Sequence, residues 1–167
     1  MRLFLDRLYM LAGGLAAVFM VGVLVAITLS IATRQLGIHI AGLDAYAGYS
    51  MAAAGFLALA HTFKQGEHIR VTLLLSALPA RGSLRLDIFA LVVACLISAD
   101  LAWYSVKLVI DSHSFHDIST GEDATPLWIP QIAMALGTVI FLIAVIDETI
   151  LRLRGVPESS AKEIAHE

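Results

Sequence analysis

Residues 64–85 read KQGEHIRVTLLLSALPARGSLR and stand between two long apolar runs. Lys64, Arg70, Arg81 and Arg85 are set against a single acid, Glu67. Within the stretch, Val71, Leu74, Leu75 and Leu78 fall at helical spacing on one face, in a run too short to cross a bilayer. Such a basic connector between apolar runs fixes the side of a membrane on which the chain turns.

On either side of it the chain is strongly apolar. Of 167 residues 59% are hydrophobic, and the mean hydropathy is +0.83. A soluble domain of this size cannot hide that much apolar surface, so the excess faces lipid. A hydrocarbon core about 30 Å thick takes roughly 20 apolar residues in a helix. Leu8 to Thr33 has no charged residue, and Ala45 to Phe63 has only His61. Leu86 to Val109 holds Asp87 and Lys107 near its ends and Asp100 inside, while Pro126 to Ile146 is free of charge and stops at Asp147 and Glu148. These continuous runs lack the alternation of a β-barrel. The prediction is an all-α integral membrane protein with four transmembrane helices, over about 8–33, 45–63, 86–109 and 126–146. Residues 1–154 make up the membrane domain, and 155–167 are expected to form a flexible cytoplasmic tail. The first run exceeds the roughly 7–15 apolar residues of a cleaved signal core and is expected to stay as an anchor.

With four spans, both termini and the 64–85 connector share one side. Arg2 and Arg7, the four connector residues, and Arg152, Arg154 and Lys162 place nine of the 11 basic residues there. Cytoplasmic segments collect Lys and Arg, so the expected orientation is N-in and C-in. Arg34 and Lys107 remain for the far side, where Asp111, Asp117, Glu122 and Asp123 make the loop after the third span acidic. Trp and Tyr favour the two interfaces. Tyr9, Tyr46, Tyr49, Trp103, Tyr104 and Trp128 all lie toward span ends, with Trp103, Tyr104 and Trp128 as outer anchors.

The spans carry little chemistry. Gly48, Ala52 and Gly55 in the second, and Gly13, Gly14 and Ala17 in the first, suit close packing of helices, within the chain or against a membrane partner. Pro126 and Pro130 open the fourth span, where first-turn N–H groups lack helical partners anyway. No span holds a midplane proline, an inverted repeat or a cluster of ionisable groups, the marks of a transport pathway. Asp100 is the exception: it is a candidate contact with a neighbouring helix or partner subunit, a cation or proton site, or a carboxyl that snorkels to the outer interface. Of the histidines only His61 lies in a span, which leaves no pair to hold haem. His113 and His116 have a spacing that could serve zinc, but no enclosing motif accompanies them. Cys95 is the single cysteine, so no internal disulfide forms. No nucleotide-binding loop, catalytic triad or nucleic-acid motif is present. No catalytic residue, cofactor or metal is expected.

In the connector, Val71 to Leu78 reads as a short amphipathic helix in the cytoplasmic interface, ended by Pro79, with arginines suited to anionic headgroups. Gly66, His68, Arg70, Val71, Leu74, Leu78 and Pro79 form the pattern G-x-H-x-R-V-x-x-L-x-x-x-L-P. Thr125-Pro126-Leu127-Trp128-Ile129-Pro130 leads to Gly137, and Arg34 with Gly37 follows the first span. In the order of these elements, the chain resembles the small membrane subunit of tripartite ATP-independent periplasmic (TRAP) transporters, the DctQ-like family, from about Arg2 to Arg154. It departs from many members at Thr72, where they carry an acid, and at Asp44, where they carry Glu. The resemblance implies a non-enzymatic permease subunit of a bacterial inner membrane. Its implied partners are a large DctM-like membrane subunit, which holds the substrate and sodium sites, and a periplasmic binding protein that delivers an organic acid. Asp117, Glu122 and Asp123 are then candidates for meeting a basic patch on that binding protein. A membrane anchor for a redox enzyme is the alternative; a self-assembling channel would need a polar stripe that the spans lack.

Overall fold

The computed structural model describes residues 2–38, 40–65 and 80–154. They form α1 (Arg2–Gln35), α2 (Leu43–Gln65), α3 (Ala80–Ser114) and α4 (Trp128–Leu153). Among the described residues α1, α3 and α4 are long and apolar enough to cross a membrane. The second helix has 23 residues, about 34 Å at 1.5 Å per residue. It is long enough but less apolar, because alanine and glycine replace the larger aliphatic residues of its neighbours. The interfacial helix expected over 71–78 and the tail at 155–167 lie outside the described residues.

The helices do not close into a bundle. They stand in a row, in the order α1, α2, α4, α3: the first packs on α2, α2 on α4, and α4 on α3. The contact of α1 with α4 is slight, and among the described residues α3 touches neither α1 nor α2. Its place inside the row accounts for the composition of α2. Ala53, Ala54, Leu57 and Ala60 are buried, and small side chains let the flanking backbones come close. At the α2–α4 crossing a Cβ on Gly137 would lie 2.5 Å from the carbonyl carbon and oxygen of Phe56. On the other side of α2, Gly13 of α1 rests against the His61 ring.

Each connection has its own chemistry. After α1, Ile38 N–H donates to Thr33 O and Gly37 N–H to Arg34 O, with Gly37 at φ +69°. This is the paired hydrogen-bond pattern that ends a helix on a left-handed residue. Gly42, at φ +84°, then lets the chain enter α2 beside Asp123, whose Cβ would lie 2.7 Å from an added Cβ. Ahead of α4 the chain makes a single antiparallel bridge between Ile118 and Pro126. Pro130 falls in the first turn of α4, where a missing N–H costs no helical bond.

Several hydroxyl side chains within the helices are satisfied locally. The hydroxyls of Thr33, Thr62, Ser98, Ser105, Thr138 and Thr149 donate to carbonyls three or four residues earlier. This keeps them off lipid without needing a partner chain.

Candidate functional site

Among the described residues, the charged groups gather at the two ends of the row and on one outward face. The antiparallel order puts the start of α1, the end of α2, the start of α3 and the end of α4 together. There Tyr9, Ala60 and Ala144 form a buried cluster, with Leu5, Phe63, Ile140 and Phe141 packed around it. The Phe63 and Phe141 rings meet edge to face at 5.6 Å. Beside this cluster Lys64 of α2 donates to Asp147 of α4 and lies 3.5 Å from Glu148. Arg152 pairs with Glu148 one turn back at 3.3 Å and with Asp87 of α3 at 3.6 Å. The Lys64 ammonium also stands 5.7 Å from the centre of the Tyr9 ring. All five charged side chains are at most one quarter exposed. The network therefore ties α2, α4 and α3 across the row, a role not deduced from the sequence. Its signal was present: Lys64, Asp87, Asp147, Glu148 and Arg152 all flank spans on the same side, with opposite charges available.

The opposite end is capped by the loop between α3 and α4. Ser119 N–H donates to Thr125 O at 2.8 Å and Leu127 N–H to Asp117 O at 3.0 Å, which pinch the loop shut. Inside it Ser119 Oγ donates to Asp123 at 2.8 Å, and Tyr49 of α2 donates to the other carboxylate oxygen at 3.1 Å. Tyr46 and Thr125 hydroxyls lie 3.2 Å apart. Hydrogen bonds from Thr125, Ser119, its own backbone and Tyr49 hold the Asp123 carboxyl below its ordinary pKa of 3.8, against the opposing effect of partial burial. Asp123 is thus engaged within the chain, whereas Asp117 and Glu122 are exposed. Between this loop and the α1–α2 turn is an open hollow of about 510 Å³, lined by Ser30, Arg34, Asp44 and Glu122 among others. Arg34 and Asp44 pair across its mouth at 3.6 Å, both largely exposed.

Along the spans, the stripe of Gly48, Ala52 and Gly55 on α2 points away from the rest of the chain. Gly48, Ala52 and Gly55 are exposed, and a Cβ at either glycine would meet nothing within 4 Å. The close crossings use Gly137 and Gly13 instead. Asp100 is also exposed, on the side of α3 turned from α4. Trp103 and Tyr104, at 71% and 59% exposure, lie beside it. Trp128 is half-buried, and its ring centre lies 5.4 Å from that of His113, edge to face.

The connector residues Gly66, His68, Arg70, Val71, Leu74, Leu78 and Pro79 lie outside the described residues. Among the described residues no group of three or more His, Cys, Asp and Glu is arranged to hold a metal ion. Among the described residues the spans present packing and pairing chemistry. The family model described as tripartite ATP-independent periplasmic transporters, DctQ component, matches residues 23–155. That range takes in the C-terminal part of α1, all of α2, α3 and α4, and the connector between the two hairpins. No curated protein matches the chain.

Proposed function

The chain belongs to the DctQ-component family of TRAP transporters, and from that membership we propose that it is the small permease subunit that scaffolds a large DctM-like membrane subunit. In this reading the complex takes up an organic acid delivered by a periplasmic binding protein, driven by an ion gradient, with sodium as the coupling ion. The family is a transporter component rather than an enzyme family. The observation that carries the scaffold role is the open row of helices. A row gives a wide, flat footprint and leaves lateral faces for another membrane protein, where a closed bundle would cover them.

The remaining features fit this assignment. We take α2 as a span with its three neighbours, because it is long enough and lies between two of them. The basic residues at both termini and in the connector favour an inner-membrane protein with both ends cytoplasmic. The acidic loop then lies on the periplasmic side. Asp117 and Glu122 are its exposed acids for a basic patch on the binding protein, while Asp123 holds the loop in shape.

Purification of the tagged chain from native membranes tests the assignment. Recovery of a large multi-span partner is the expected result. A haem-bearing complex or a strictly homomeric species would overturn it. Charge reversal at Asp117 and Glu122 is expected to weaken docking of the binding protein, with unchanged docking counting against that role.

A further inference from the structure

We propose that the outward face of α3 centred on Asp100 is covered by a transmembrane helix of the large subunit, and that this helix presents a hydrogen-bond donor to the carboxylate. The inference rests on the small-permease reading and specifies which face meets the partner, and through what chemistry.

Direction comes first. The side of α3 that packs on α4 is marked by its buried residues Leu91, Ser98, Ala102 and Ser105. At 100° per residue, Asp100 lies about 180° around the helix from Leu91 and within about 40° of the point opposite the other three. Around it are Phe89, Val93, Leu96 and Tyr104, exposed by 64%, 37%, 67% and 59%. The carboxylate therefore stands in an apolar field that points away from the rest of the chain.

Depth comes second. The apolar run of α3 extends from Leu86 to Val109, and Asp100 falls two or three residues past its middle, about 4 Å along the axis. An aspartate side chain is too short to reach either interface from there. Lys107 lies two turns nearer the outer end, about 10 Å away along the helix. Among the described residues Asp100 has no hydrogen bond or ion pair. A carboxylate left against lipid at that depth would carry a partitioning penalty of roughly 100-fold.

The contrast with the other surfaces selects this one. At the far edge of the row, α1 is free of charge from Leu8 to Thr33 and most of its side chains are exposed. That edge meets lipid at no electrostatic cost. The small-residue face of α2 is uncharged and suits lipid or protein equally. Only α3, among the described spans, turns a mid-span carboxylate outward. The complement of that feature is a donor on a neighbouring span, because lipid tails provide none.

The test uses the complete transporter in membranes. A photo-crosslinking residue is placed at Val93, Leu96 or Tyr104 on α3 and, for comparison, at Val18, Val21 or Val25 on α1. Adducts with the large subunit are expected from the α3 positions. Asp100→Leu is expected to lower recovery of the large subunit roughly 3- to 30-fold, the range of one interhelical hydrogen bond in a membrane. Asp100→Asn is expected to lose less, because the amide retains an acceptor. Asp100→Leu suits lipid, so its own abundance in the membrane should not fall. Unchanged recovery with Asp100→Leu, or α3 adducts with lipid alone, would overturn the proposal and leave the small-permease reading intact. Failure of the unmodified chain to recover any large subunit would overturn that reading first, and this one with it.

Discussion

At the scale of single residues, two glycine environments separate what spacing in the sequence could not. Gly137 sits where a Cβ would meet the Phe56 backbone at 2.5 Å. That neighbour cannot swing aside, so Gly137→Ala is expected to destabilise the fold by about 1–3 kcal/mol. Unfolding in detergent at an unchanged denaturant midpoint would contradict this. Gly55→Ala adds a methyl to open space and is expected to leave the midpoint in place. The Gly48, Ala52 and Gly55 spacing reads as a packing motif, but spacing does not say which surface a small stripe meets. Asp123 makes a second prediction. Its pKa is lowered in the folded chain, so the stabilisation of the loop is complete above the unfolded value of 3.8. It is lost as pH falls through the lower, folded value. Pepsin should cut within 117–127 faster as the pH is lowered across that window, and Asp123→Asn should cut readily throughout. A rate for the unmodified chain that matches the asparagine variant at every pH would show that the carboxylate does not hold the loop.

At the scale of elements, the α2–α4 seam combines a close crossing with a charge network at one end. Lys64 is the α2 contribution to that network, only 20% exposed. Lys64→Met leaves Asp147 without its ammonium partner and should cost about 1–3 kcal/mol, less than for a fully buried pair because water still reaches the group. Exchange of the pair, Lys64→Asp with Asp147→Lys, should recover part of the loss; a double variant no better than the single would assign the cost to packing alone. The existence of the helices was legible in the sequence, but not their limits: α1, α3 and α4 run several residues past the expected spans, and Pro126 precedes α4 instead of opening it. All four lie over the expected runs, and Pro130 occupies a first turn as anticipated. The order of helices in the row was not legible. Hydropathy records which residues avoid water, and in a membrane both lipid and a neighbouring helix satisfy that demand. The pairing of Lys64 with Asp147 spans 83 residues, beyond the reach of any local pattern. For the same reason Asp100 was recognisable as anomalous, but its outward direction required the packed face of α3.

At the scale of the whole molecule, the row predicts an even-span topology. With Cys95→Ser as background, a cysteine at Thr120 should react with an impermeant reagent from outside, while cysteines at Gln65 and Arg154 should react only after permeabilisation. Labelling of all three from one side would exclude the arrangement. The row is also two helical hairpins, α1–α2 and α3–α4, that meet along one main seam. Each hairpin carries its own turn chemistry: the Gly37 and Gly42 corner in one, the pinched 117–127 loop in the other. Neither needs the covalent continuity of residues 66–79 to form its internal contacts. Two polypeptides ending and restarting within that connector, synthesised separately in the same cell, should therefore find each other and rebuild the seam. The molecule is in this sense modular, with a junction at which an additional domain could be inserted without separating either pair.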